Sequence, residues 1–270
     1  MPALSRTSTP LRYFDSHCHL QDERFDPDRG EALTRAWEVG VREIVVIGAD
    51  PADASAARRL AEEAAVRDDW PDLWFTAGLH PHDASRWTPE TRREVERELG
   101  RGAVAVGEIG LDFHYENSPR AIQRTAFGEQ LSMARELGLP VVVHSRDAED
   151  ETLAVLGKSG IAPERVVLHC FTGSAHMLAE AVARGYYVSF SGIATFPSFE
   201  AAALVPLVPE QRLLAETDAP YLSPIPMRRR RNEPAFLPHT VMSLATHCGA
   251  APAALAARTR TNARAFYRLG

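Results

Sequence analysis

Lysine is nearly missing from this chain: among 30 basic residues only Lys158 is not an arginine. A carboxylated lysine, one common bridge between two metal ions, therefore has a single candidate, placed late in a helix away from any strand end. Cysteine is scarce too. Cys18, Cys170 and Cys248 are far apart and form no C-x-x-C pair, which excludes a disulfide framework and a zinc ribbon and leaves three small buried hydrophobes as the expectation. No apolar run approaches the roughly 20 residues of a membrane span, and residues 1–10 carry no apolar signal core. A soluble, cytoplasmic protein without membrane contact is expected. No Gly-x-Gly-x-x-Gly turn follows the first strand, so neither a dinucleotide fold nor an organic cofactor is indicated. The net charge of −6 excludes a surface coated with basic groups for indiscriminate nucleic-acid binding, although a local basic patch remains possible. Low-complexity tracts and obvious linkers are lacking as well.

What is present is a repeating alternation of short apolar strands and amphipathic helices. After a strand over 14–19, helices are expected at 31–40, 52–67, 89–99, 119–138, 147–156, 175–185 and 199–204. Strands are expected between them at 42–49, 73–78, 103–107, 141–144, 166–169, 187–191 and 213–216. In the helix over 119–138, Phe127, Leu131 and Leu137 are the apolar positions. Residues 223–238 read as a long loop after the last strand, and the remainder as helix. About eight strand-helix units point to an α/β fold with a closed (β/α)8 barrel of the TIM type, one domain over 11–270 preceded by a flexible tail at 1–10.

Functional groups of such barrels gather at the C-terminal ends of the strands. His17 and His19 end the first strand, His80 and His82 follow the third, and Glu108 and Asp112 follow the fourth. His144 ends the fifth, His169 the sixth, and Glu216 and Asp218 the eighth. Random placement would scatter histidines over helices, as His176 and His247 are. Side chains alternate along a strand, so His17 and His19 share a side and Cys18 points away. Imidazoles with carboxylates suit zinc, manganese, nickel or magnesium without choosing among them. The donors exceed what one catalytic ion needs, so two divalent ions sharing a carboxylate are expected, and Glu108 is the natural bridge in a chain so poor in lysine.

Seven segments carry a resemblance. They are Phe14-Asp15-Ser16-His17-Cys18-His19-Leu20, Gly78-Leu79-His80-Pro81-His82, Gly107-Glu108-Ile109-Gly110-Leu111-Asp112, Val143-His144-Ser145-Arg146, His169-Cys170-Phe171-Thr172-Gly173, Glu216-Thr217-Asp218-Ala219-Pro220-Tyr221-Leu222 and Arg231-Asn232-Glu233-Pro234. In this order they resemble the TatD-type metal-dependent deoxyribonucleases over nearly the whole chain. The resemblance implies His17, His19, Glu108, His144, His169 and Asp218 as metal ligands. It also implies a nuclease that hydrolyses DNA phosphodiester bonds, with 3′-5′ exonuclease action and a part in DNA repair or degradation.

On that reading His17, His19, Glu108 and Asp218 hold one ion and Glu108, His144 and His169 the other, with Asp218 as general base. Glu216 orients a ligand or holds a third ion. His80, His82, Asp112, Arg146, Arg231 and Asn232 are expected to touch substrate, and the run from Arg228 to Arg231 to attract phosphates at the barrel mouth. With no aromatic-rich repeat, single strands or frayed DNA ends fit better than extended duplex. Pro197 stands where many relatives carry a basic residue, which puts one phosphate contact in question. Two alternatives use other chemistry: a metal-dependent amide or ester hydrolase acting on a small or aminoacyl substrate, and a metal or nucleic-acid binding module without turnover. The pattern does not set an oligomeric state.

Overall fold

A computed structural model describes residues 11–270, so the expected tail at 1–10 lies outside the described residues. Each apolar run forms a strand that the next helix returns to its start. The strands are β1 (Tyr13–Cys18), β2 (Val41–Val46), β3 (Asp72–Phe75), β4 (Val106–Asp112), β5 (Val141–Arg146), β6 (Val166–Leu168), β7 (Tyr187–Phe190) and β8 (Leu213–Ala215). The helices are α1 (Arg29–Glu38), α2 (Pro51–Ala64), α3 (Pro89–Leu99), α4 (Arg120–Leu137), α5 (Glu149–Ser159), α6 (Ala175–Arg184), α7 (Leu237–His247) and α8 (Pro252–Tyr267). Local chemistry sets their ends. Asp50, Thr88 and Ser174 accept from the first free N–H groups of α2, α3 and α6, and Gly138 and Gly185 close α4 and α6 in the left-handed region.

All pairing is parallel, in the orders β1-β2-β3 and β4-β5-β6-β7-β8. Two seams close the barrel. Between β3 and β4, Ala77 N–H donates to the Ala105 carbonyl at 3.3 Å and Gly107 N–H to the Ala77 carbonyl at 3.0 Å. Between β8 and β1 the backbone bonds come only beyond β8: Asp218 N–H donates to the His17 carbonyl at 2.9 Å and His19 N–H to the Ala219 carbonyl at 2.7 Å. Two side chains span the rest of that seam, and one is Ser16, whose hydroxyl donates to the Ala215 carbonyl at 3.1 Å. The other, Asp15, fully buried, accepts from Thr217 N–H at 2.9 Å, from the Thr217 hydroxyl at 2.6 Å and from His17 N–H at 3.3 Å.

Phe14, Val45, Ile47, Val142, Val167, Tyr187 and Leu214 form one cluster inside the barrel, closed at its base by Phe266 and Tyr267 of α8. A larger cluster lies between strands and helices. Where α8 crosses β2, buried Glu43 pairs with both Arg260 and Arg264. Among the described residues no helix is long and apolar enough to cross a membrane.

The strand expected to end at Gly107 runs on to Asp112. Glycine reads as a stop, yet here it permits close approach: a Cβ on Gly110 would lie 2.0 Å from the His144 carbonyl oxygen, and one on Gly107 2.7 Å from Val142. Pairing register slips in β1 between Asp15 and Cys18 and in β4 between Val106 and Ile109, the stretches that hold His17 and Glu108. The expected helix over 199–204 is a 3-10 segment, Glu200–Leu207, interrupted by Pro206. Leu137 is 53% exposed, because the last residue of α4 has already left the barrel face that buries Phe127 and Leu131. Cys18 is buried as expected, whereas Cys170 and Cys248 are partly exposed.

Candidate metal centre

The expected donors converge at the C-terminal ends of the strands, around Glu108. Its two carboxylate oxygens face different imidazoles. Oε2 lies 3.4 Å from His17 Nε2 and 3.7 Å from His19 Nε2, while Oε1 lies 2.7 Å from His169 Nε2, 3.1 Å from His144 Nδ1 and 3.4 Å from His80 Nε2. Asp218 completes the first side, with Oδ1 at 3.6 Å from both His17 Nε2 and His19 Nε2. Its backbone takes a φ of 55°, in the left-handed region that aspartate tolerates better than most residues. Three overlapping sets offer donor atoms close enough to share an ion: His17, His19 and Asp218; His17, Glu108 and His169; His80, Glu108 and His144.

This arrangement calls for cations. His17 Nε2 and His19 Nε2 approach to 3.2 Å, within hydrogen-bond reach, and the His17 and His169 rings stack at 3.9 Å, so ring nitrogens that could share an ion are gathered beside the Glu108 carboxylate. His169 Nε2 is buried without a hydrogen bond despite its nearness to Glu108, and so are His17 Nδ1 and Glu216 Oε2. Buried polar atoms left bare in this way are groups that a bound ion would satisfy. The donor set, all imidazole and carboxylate, fits divalent metals.

Ionisation follows the same logic. Burial pushes the Glu108 carboxyl up, but His169, His80 and His144 outweigh it and hold the group well below the usual carboxylate range. Asp218 is likewise lowered, burial being overcome by His19 and His17. Burial drives His80 down to about 4 and also lowers His17. On His169 burial acts downward, yet Glu108 and Glu216 prevail and its pKa lies well above that of a free imidazole. The carboxylates thus stay charged and draw positive charge to the centre.

The surrounding residues divide more sharply than the sequence reading had them. Glu216 is buried, accepts from Cys170 N–H at 2.8 Å and lies 3.4 Å from His169 Nδ1, a position that orients His169. Asp112, expected at the substrate, is fully buried behind the site; its Oδ2 is 2.9 Å from His82 Nε2 and 3.1 Å from His144 Nε2, fixing both rings. His80, expected only at the border, faces Glu108 directly. Arg146 is exposed at the mouth, with its guanidinium 4.9 Å from the Tyr115 ring.

Two side chains expected at the substrate are engaged within the protein. Asn232 is wholly buried and donates to the Thr217 and Tyr221 carbonyls at 2.8 and 2.5 Å, so it pins the loop after β8 rather than meeting a ligand. Arg231 is engaged by Asp28 at 2.5 Å and lies near Glu233 at 3.4 Å, with its guanidinium over the Phe25 ring. The basic run is therefore Arg228, Arg229 and Arg230, all exposed. Arg228 lies 3.9 Å over the ring of Phe196, bringing a cation beside Pro197 from another segment.

The chain is similar to known proteins over nearly its whole length. A family model described as TatD related DNase matches residues 14–268. The chain is 39% identical to the 3′-5′ ssDNA/RNA exonuclease TatD of Cronobacter sakazakii, covering 94% of this chain and 97% of that protein. It is 34% identical to the uncharacterized metal-dependent hydrolase YabD of Bacillus subtilis, covering 95% and 99%. Among solved structures, the TatD homolog YJJV of Escherichia coli K12 superposes with a TM-score of 0.86 at 27% identity, covering 97% of this chain and all of that one. A hydrolase TatD family protein from Entamoeba histolytica has the same score at 19% identity, over 96% of this chain and 99% of that one, a likeness of fold.

Proposed function

The chain belongs to the TatD related DNase family of metal-dependent hydrolases, and on that premise we propose that it removes nucleotides from the 3′ ends of single-stranded DNA with two divalent ions bridged by Glu108. The observation that carries the proposal is the division of Glu108, Oε2 toward His17 and His19, Oε1 toward His80, His144 and His169. His17, His19 and Asp218 would hold one ion with Glu108, and His144, His169 and His80 would hold the other. Bound there, divalent ions supply Lewis-acid polarisation of a phosphoryl oxygen and a water acidified to near neutrality. Asp218 turns Oδ1 to the two histidines, and its Oδ2 takes the proton of the attacking water. Glu216 keeps the His169 ring in line, and Asp112 does the same for His144 and His82. Arg146 meets a phosphate at the mouth. The exonuclease direction and single-strand preference are supported by the name of the Cronobacter sakazakii relative.

Replacing Glu108 by Gln keeps the shape and removes the charge two cations need between them. Turnover of 3′-labelled single-stranded DNA should fall at least about a hundredfold and bound metal should drop. Near wild-type turnover with two ions retained in Glu108→Gln would refute the bridge. Parallel assays on RNA, blunt duplex and a small amide test the substrate class, and faster turnover of the amide would overturn the nuclease reading.

A further inference from the structure

Large side chains exposed among the described residues include two aromatic ones, Tyr115 at 55% and Tyr221 at 48%, and both stand at the rim of the metal centre. They occupy opposite sides of Glu108. Tyr221 meets His19, on the Oε2 side, edge-on with ring centroids 6.0 Å apart. Tyr115 meets His82 edge-on at 5.5 Å, and His82 packs on His80 of the Oε1 side at 4.4 Å. Each tyrosine carries a guanidinium over its ring, Arg24 at 4.3 Å from Tyr221 and Arg146 at 4.9 Å from Tyr115.

The backbones of both are tied to the site itself. Tyr115 N–H donates to Asp112 Oδ1 at 2.9 Å, and Tyr221 N–H donates to the Asp218 carbonyl at 2.9 Å. An exposed aromatic ring whose backbone is tied to a catalytic centre matches a nucleobase, which stacks on its face; beside Tyr115 the Arg146 guanidinium is at hand for the phosphate, whereas Arg24 beside Tyr221 is held by Asp22 at 2.7 and 2.8 Å. One such platform on each side of a bridged metal pair matches the two bases that flank one phosphodiester.

We propose that Tyr115 and Tyr221 are base-stacking subsites holding the nucleobases on either side of the scissile phosphate. This rests on the nuclease reading above and adds the reason for a single-strand substrate, since a base can stack on a protein ring only after leaving its helical stack.

The test measures binding apart from turnover. A 5′-fluorescein hexathymidylate is titrated by anisotropy against the same oligomer with abasic residues at its two 3′-terminal positions, in metal-free buffer and again with Ca²⁺. Wild type should bind the base-bearing strand about tenfold or more tightly. Tyr115→Ala and Tyr221→Ala should each lose most of that preference while binding the abasic strand as before, and Tyr115→Phe and Tyr221→Phe should restore it. Equal binding of the two strands by wild type, preference retained in both Ala variants, or Phe variants as poor as Ala would each overturn the assignment. If base preference depends on the tyrosines but no metal supports release of nucleotides, the subsites stand and the nuclease reading falls.

Discussion

Removing the Asp15 carboxylate tests how the metal centre is held. This residue carries the upper part of the seam between β8 and β1, and the residues proposed to hold one ion sit on both sides of it: His17 and His19 on one chain segment, Asp218 on the other. Three donors converge on it, Thr217 N–H, the Thr217 hydroxyl and His17 N–H. Burial pushes its pKa up to about 7, the Thr217 bonds acting in the opposite direction. Near neutral pH it is therefore partly protonated, and each bond lies between the roughly 1 kcal/mol of a neutral pair and the 1.5–3 kcal/mol of a charged one.

Asp15→Asn keeps the volume and one acceptor but sets its amide N–H against the Thr217 hydroxyl, which must turn from donor to acceptor and gives up the charge-assisted bond, a cost of up to about 2 kcal/mol. Asp15→Ala strands two buried N–H groups besides, for roughly 4 kcal/mol in all. At about 2–4 °C per kcal/mol for a chain of this size, melting should drop by about 6 °C for Asn and about 12 °C for Ala. Function should suffer separately from stability, because Thr217 precedes Asp218 and a loosened seam lets Asp218 drift from His17. Metal titration at 25 °C, where both variants remain folded, should show an affinity loss of about tenfold or more at one of the two ions. Scanning calorimetry and metal analysis decide the matter. An Asp15→Ala protein that melts within about 1 °C of wild type and holds its metals equally well would mean that the backbone bonds and the Ser16 hydroxyl keep the seam without Asp15.

Two further perturbations separate packing from substrate contact. Glu43→Gln leaves Arg260 and Arg264 facing an uncharged partner at the base of the barrel; because both arginines keep some solvent contact, we expect a loss of about 2–3 kcal/mol by chemical denaturation, with kcat unchanged. A variant as stable as wild type would show the cluster to be energetically neutral. Replacing Arg229 and Arg230 together by Ala should raise KM for single-stranded DNA several-fold and flatten the slope of log K against log salt by roughly 0.7 per lost phosphate contact. Arg231→Ala should instead lower the melting temperature through its pairs with Asp28 and Glu233, and an unchanged KM and salt slope in the double variant would move the DNA path elsewhere on the mouth.

The barrel and the gathering of histidines and carboxylates at its open end were legible in the sequence for one physical reason: strands buried on both faces leave continuous apolar runs, and the first polar residues after each run must stand at its open end. His144 after Val141-Val142-Val143 and His169 after Val166-Val167-Leu168 follow directly from that. Alternation was a weaker guide. It placed His17 and His19 together correctly, yet it breaks in β1 between Asp15 and Cys18 and in β4 between Val106 and Ile109, where pairing slips. Such slips re-aim side chains and leave no local mark, since they depend on the neighbouring strand. Partners distant in the chain misled in the same way. Arg231 looked free because Asp28, which engages it, lies 203 residues away, and Asn232 looked available because the carbonyls it serves at Thr217 and Tyr221 cannot be inferred from composition. Tyr115 passed unnoticed, and Tyr221 was seen only as part of a motif, for the opposite reason. A search for aromatic repeats looks along the chain, whereas these two are 106 positions apart and meet only across the mouth, one beyond β4 and one beyond β8. In a closed barrel the fourth and eighth strands face each other, so residues just past them flank whatever the centre holds, and the loops to inspect for substrate contacts are those half a turn apart.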